Sequence, residues 1–222
     1  ELDVMVKNLH ASLDIKDVKI EELHNLTMIL DERWYDPYKQ WLEIGWALHN
    51  TDPNLLFWTW ISFSAKSEKF DFNEIPKMWN MWNCDFKDEG VTFRTIHYHV
   101  KENFPTEYYK IQGGCTDKLI TECGKSKGSD TDLAIITNHL FKELFACVGI
   151  KTQKWYRFQN HRWVEDDNGT TLRRKLSDKI NQLFTVRSLE EKYKGAQEEI
   201  TEAEKAKHID NSAEFVRIAI KL

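Results

Sequence analysis

Leu2, Met5, Val6, Leu9 and Leu13 recur at the spacing that places side chains on one face of an α-helix, and Ile20, Leu23, Leu26 and Leu30 repeat the pattern. A third helix is predicted from Tyr38, with Tyr38, Trp41, Leu42, Gly45 and Leu48 along one face. Asp52-Pro53 is expected to open a fourth that runs through Phe63, because the fixed φ of proline suits a first helical turn. Asn73 is expected to cap a short helix carrying Ile75, Met78, Trp79 and Trp82. Thr92 is expected to cap another with Phe93, Ile96, Val100 and Phe104. The first half reads as a helical bundle with an aromatic core.

Residues 105–128 interrupt the periodicity. Pro105, Gly113, Gly114, Gly124 and Gly128 punctuate a polar stretch that reads as a linker. Order resumes with Ser129 to Thr131 as a cap and a helix bearing Leu133, Ile136, Leu140 and Leu144. Lys154 to Phe158 and Arg162 to Val164 alternate around Gln159-Asn160-His161, the pattern of a β-hairpin. A helix is predicted next, with Leu172, Leu176, Ile180, Leu183 and Phe184 inward. Ser188 to Lys207 is densely charged and reads as a solvated face, with Glu199, Ala203 and Lys207 along one helix; Ala213 to Leu222 is apolar again. The predicted fold class is mainly α: a helical bundle, then a helical domain with a small β-hairpin.

The 222 residues suffice for one or two domains, and 41% hydrophobic with 30% charged residues can bury a core. Of the nine tryptophans, seven fall between Trp34 and Trp82 and only Trp155 and Trp163 lie beyond, so the halves are built differently. A net charge of −5 excludes a protein coated in basic surface, and any DNA contact has to come from local patches. No run approaches the roughly 20 apolar residues of a membrane span. The chain opens on Glu1 and stops in an apparent helix, as a piece of a longer polypeptide would. Cys84, Cys115, Cys123 and Cys147 show no CxxC pairing, which suits a reduced, intracellular protein. Zinc on Cys115 and Cys123 with His97 or His99 is the alternative, although structural zinc usually takes ligand pairs two to four residues apart.

No catalytic signature survives inspection. Gly124-Lys125-Ser126 resembles the end of a phosphate-binding loop, but the position five before Gly124 is Leu119 where the loop needs glycine. Asp130-Thr131-Asp132 resembles a metal-holding carboxylate pair, yet it opens a helix, where acids favour the positive end of the dipole. His97 and His99 sit two apart on a helix and point to different faces. No catalytic residue and no metal ligand is expected. Between Lys151 and Lys175, seven cations face only Glu165, Asp166 and Asp167, a local charge of +4 interleaved with Trp155, Tyr156 and Trp163. Lys154, Arg157, Arg162, Arg173, Arg174 and Lys175 are therefore candidates for nucleic-acid contact, since cations beside aromatic rings suit backbone tracking with base stacking. Alternation alone also predicts polar outward residues on a hairpin. Lys66 and Lys69 form a second, weaker patch that would equally suit a helix C-terminus.

The stretch Tyr35-Asp36-Pro37-Tyr38-Lys39-Gln40-Trp41-Leu42-Glu43-Ile44-Gly45-Trp46-Ala47-Leu48-His49 resembles the opening of the second primase C-terminal domain family, which reads tyrosine-aspartate, tryptophan, then glycine before a helical alanine-leucine. The resemblance continues through Trp60-Ile61-Ser62-Phe63-Ser64-Ala65-Lys66-Ser67, although the family usually has tryptophan directly before serine. Residues 129–222 resemble the N-terminal domain that precedes superfamily 3 helicases of the poxvirus type. The matching features are Asp132-Leu133-Ala134, then Trp155-Tyr156-Arg157-Phe158, Trp163 and the amphipathic helix from Leu172.

The resemblance implies a replication primase-helicase of a nucleocytoplasmic large DNA virus. In it, residues 1–27 end an upstream primase region, 28–104 form the primase C-terminal-like domain, 105–128 link, and 129–222 form a collar-like helicase N-terminal domain. It implies a non-catalytic segment, with ATP and Mg expected only in a helicase motor outside it. Implied partners are DNA, the adjoining primase and helicase domains and, for the parent, a homo-hexamer, with no membrane. The implied location is the cytoplasm or nucleus of an infected cell. The rival expectation is an interaction scaffold of a replication complex that does not touch DNA.

Overall fold

The computed structural model describes Val4, Asn8 and residues 18–84, 90–197 and 200–221. Apart from Val4 and Asn8, the helix expected over residues 2–13 lies outside the described residues, as do Glu199 and Leu222. The chain divides into two compact units, Glu1–Cys115 and Thr116–Leu222.

The first unit is helical: α1 (Val18–Ile29), α2 (Glu32–Tyr35), α3 (Tyr38–His49), α4 (Phe57–Ser64), α5 (Ile75–Cys84), α6 (Phe93–Asn103) and the first half of α7 (Pro105–Lys125). Leu23, Leu26 and Leu30 pack with Ile44 and Leu48 of α3, Phe57 and Trp60 of α4, and Ile96 and Val100 of α6. Trp60 is the centre of this core. It stacks on Trp41 at 4.7 Å between ring centroids and lies 5.5 Å from Trp82. The polar edges of its neighbours are satisfied, Trp41 Nε1 donating to Ser64 Oγ and Trp82 Nε1 to the Pro53 carbonyl.

Two helix starts differ from the periodicity. The Asp52 carboxylate accepts from the backbone N–H groups of Asn54 and Leu55, which holds a turn and delays α4 to Phe57. The cap before α5 is Asp71, which accepts from Asn73 N and starts a 3-10 turn over Phe72–Glu74.

The larger difference is α7. Residues 105–125 form one 21-residue helix where an irregular stretch was expected. Tyr108 and Ile111 pack against the first unit's core, and Cys115, Leu119, Ile120 and Cys123 are buried, a spacing of three and four that the glycines mask. Gly113 and Gly114 sit mid-helix with open space around them, and burial of this face outweighs their cost of about 1 kcal/mol each. The helix ends where Lys127 and Gly128 turn left-handed and Gly128 N–H donates to the Cys123 carbonyl. A Cβ on Gly128 would stand 2.7 Å from Ile218 Cγ1, so the position requires glycine for space as well as for its φ.

In the second unit Ser129 caps α8 (Asp130–Phe141) by accepting from Asp132 N. Three antiparallel strands follow in the order β1 (Phe145–Gly149), β2 (Lys154–Gln159) and β3 (Arg162–Asp166). The β2–β3 hairpin is the expected one, and Asn160 and His161, at φ +51° and +61°, form its two-residue left-handed turn. β1 was not expected. Leu144 is exposed rather than continuing α8's buried face, and Phe141 and Phe145 are buried in its place. The long helix α9 (Thr170–Gly195) turns back into α10 (Glu202–Lys221), with Phe184 against Phe215 and Ser188 Oγ 3.0 Å from Ser212 Oγ. Within the charged stretch expected to be a solvated face, Ser188 and Glu191 are buried between these helices. Glu191 accepts from Lys194, His208 and Asn211.

Candidate nucleic-acid interface

The register of the sheet sorts the candidate residues onto two faces. Trp155 pairs with Asp166, Arg157 with Val164 and Phe145 with Arg157, so these side chains share one face. That face is covered: Phe145 and Asp166 are buried, and Trp155 lies against Gly169, whose Cβ would sit 3.3 Å from the indole. The other face carries Lys154, Tyr156 and Phe158 of β2 with Trp163 and Glu165 of β3, and it is open.

Arg157 lies on the covered face. Its Nη1 donates to Thr171 Oγ1 at 3.3 Å. Beside it, Asp166 accepts from the N–H groups of Thr171 and Leu172, the first turn of α9. Burial by itself pushes the Asp166 carboxyl up, but the Thr171 and Leu172 hydrogen bonds and the Arg157 charge outweigh it and hold it below the ordinary carboxylate value. Asp166 thus does for α9 what a capping residue does, from five residues upstream. Asp166→Ala is expected to cost about 1–2 kcal/mol. Thermal circular dichroism should show the second unit melting roughly 5–10 °C lower; an unchanged melting curve would mean that the carboxylate does not hold the helix.

The other candidates of this unit reach the surface. Arg162 is exposed at the hairpin end of β3, and Arg173, Arg174 and Lys175 are exposed in the first turns of α9. Arg173 also lines a groove of about 440 Å³ whose floor includes Phe141, Phe145, Trp155 and Leu172. Lys154 sits 3.6 Å from Glu165 Oε2 and over the Tyr156 ring at 5.5 Å; both neighbours push its ammonium up, so it stays charged.

Lys66 and Lys69 belong to the first unit. Lys66 Nζ donates to the carbonyls of Met28 and Leu30, closing the C-terminus of α1. Burial pulls its ammonium down and Asp31 partly restores it. Lys69 is exposed and lies 3.9 Å from Asp36 Oδ2.

Charge is unevenly shared between the units. Residues 1–115 hold 12 Lys and Arg against 19 Asp and Glu, a formal −7, whereas residues 116–222 hold 19 against 17, a formal +2. The net −5 therefore hides a second unit that leans basic.

The catalytic resemblances resolve locally. Gly124-Lys125-Ser126 ends α7, so carbonyls rather than N–H groups face outward there, the wrong polarity for a phosphate. Asp132 accepts from the hydroxyls of Ser129 and Ser126 at the start of α8. His97 faces Glu22 and Tyr108, whereas His99 faces Glu43 and lies tilted against Trp34, 4.1 Å between ring centroids. Cys123 is buried and its thiol is pushed up to about 11. Among the described residues no group of three or more His, Cys, Asp and Glu could hold a metal, and no helix is long and apolar enough to cross a membrane.

Phe158 is the residue that counting cations passed over. The parity of β2 already set it with Tyr156 rather than with Trp155, but which parity faces solvent was decided by α9 covering the other.

Residues 23–99 match the family described as Primase C terminal 2. The chain is also 31% identical over 165 residues, 74% of its length, to "Putative helicase L207/L206" of Acanthamoeba polyphaga mimivirus. It is 30% identical over 162 residues, 72% of its length, to "Putative helicase 022R" of Frog virus 3. Those alignments cover 17% and 16% of the viral proteins, so the chain spans about one sixth of the length of the curated relatives it matches. By these matches residues 23–99 are similar to the Primase C terminal 2 family, and about three quarters of the chain is similar to one part of putative helicases from two large DNA viruses.

Proposed function

We propose that this region joins a primase to a ring-shaped superfamily 3 helicase motor and touches DNA through its second unit. The first unit tethers the priming side. The second, residues 116–222, forms a collar beside the motor, where a homo-hexamer of the parent protein would be organised. The region contributes no catalytic group; ATP and Mg act in the motor, in the cytoplasm or nucleus of an infected cell.

The observation that carries the DNA contact is the exposure of Arg173, Arg174 and Lys175 along the start of α9, with Arg162 exposed at the hairpin, on the unit whose charge is positive. Arg157 is left out of this surface because it serves the start of α9, and Lys66 because it closes α1. A second reading, a scaffold without DNA contact, draws on the formal −7 of the first unit.

Fluorescence anisotropy with single-stranded and forked DNA at several salt concentrations separates the two. Substituting Arg162, Arg173, Arg174 and Lys175 together by alanine is expected to weaken binding at least tenfold and to reduce the salt slope by about 3, at roughly 0.7 per phosphate contact. Unchanged affinity and slope overturn the assignment, and no binding by the unaltered chain supports the scaffold.

A further inference from the structure

We infer that the open face of the sheet is a stacking platform for the unpaired bases of single-stranded nucleic acid. This rests on the DNA-contact reading above and adds which form of nucleic acid the unit takes and which residues select it.

The antiparallel register sets Phe158 of β2 directly opposite Trp163 of β3, and Tyr156 one step along on the same face. The Phe158 and Trp163 rings meet edge to face, 5.4 Å between centroids and 61° between planes. Phe158 is 41% exposed and Trp163 49%. The core does not account for them, because the sheet packs on α9 through its opposite face. Two large rings held toward water on a rigid ladder offer π surface at little ordering cost, and every base has a face to lay on it.

The charges around the platform suit the same occupant. Lys154 stands at one end of β2 beside Tyr156, and Lys151 is exposed in the turn before it; Arg162, at the hairpin end, has the parity of Val164 and Asp166 and so belongs to the other face. A strand whose bases lie on the rings thus meets cations at the Lys154 end for its phosphates. The carboxylate on this face, Glu165, is held by Lys154. A duplex keeps its bases stacked on each other, so the platform discriminates against it. Val148 and Ile150 are exposed nearby in sequence and are the residues a protein partner would use instead.

The test uses the full chain with oligo-dT and a duplex of equal length, read by anisotropy and by quenching of tryptophan fluorescence. Phe158→Ala/Trp163→Ala is expected to weaken oligo-dT binding on the order of tenfold per ring while leaving the salt slope and duplex binding unchanged. Phe158→Leu/Trp163→Leu keeps the apolar bulk and should lose the same affinity with an unaltered melting curve. Val148→Ser/Ile150→Ser should bind oligo-dT as the parent chain does. If the leucine variant binds oligo-dT normally while the alanine substitutions at Arg162, Arg173, Arg174 and Lys175 weaken it, stacking is overturned and the DNA contact stands. If the serine variant loses oligo-dT as strongly as the aromatic ones, a general apolar surface replaces the platform. If the unaltered chain binds neither nucleic acid, both readings fall.

Discussion

Trp60→Ala is expected to destabilise the first unit by roughly 3–5 kcal/mol, about what deleting a fully buried indole from a packed core costs. Trp60 is completely inaccessible and contacts rings on both sides, Trp41 from α3 and Trp82 from α5. Because α3, α4 and α5 meet on this one side chain, the cavity cannot close without shifting a helix. Domains of this size hold only about 5–15 kcal/mol in total, so the variant would lose a large share of it. Urea denaturation followed by circular dichroism checks this: the transition of the first unit should move to markedly lower urea, and that of the second should stay. Trp60→Phe keeps most of the ring volume and should lose about 1–3 kcal/mol. If the alanine variant unfolds at the parent's midpoint, Trp60 is not the centre of the bundle.

The second large effect is acid sensitivity. Glu191 is buried between α9 and α10, and burial alone pushes its carboxyl up. Hydrogen bonds from His208 at 2.8 Å, Lys194 at 3.0 Å and Asn211 at 3.3 Å outweigh burial and hold it at about 2, against an ordinary 4.5. The folded helix pair therefore favours the charged carboxylate. Its contribution is fully present above about pH 4.5 and disappears as the pH falls toward 2. A difference of that size corresponds to about 3 kcal/mol. Glu191→Gln should lower the second unit's stability at pH 7 by a comparable amount and flatten the loss between pH 4.5 and 2. Equal acid sensitivity in variant and parent would show that other carboxylates govern it.

What local chemistry alone decided is considerable. Thr92 and Ser129 cap helices as their side chains predict, because a hydroxyl oxygen on Cβ reaches the N–H groups of the next turn whatever lies beyond. Alternation around Asn160-His161 determined the hairpin, and its parity placed Tyr156, Phe158 and Trp163 together. The crowding of tryptophan between Trp34 and Trp82 marked the core of the first unit, and the resemblance of Tyr35 to His49 pointed to the family that matches residues 23–99.

Tertiary structure decided the rest, and each case has one cause: a partner distant in sequence outweighed the local preference. Glycines that read as breaks sit inside α7 because burial of Cys115, Leu119 and Cys123 exceeds their propensity cost. Lys66 looked like a surface cation until the carbonyls of Met28 and Leu30, 38 and 36 residues away, claimed it. Arg157 and Arg162 are alike in sequence, yet only α9 determines that the first is enclosed and the second free to meet a ligand. Glu191 lies in a run that reads as solvated, and it is buried because α10 folds back to bring His208 and Asn211 to it. Spacing along the chain determines which residues share a face; only packing determines which face meets water.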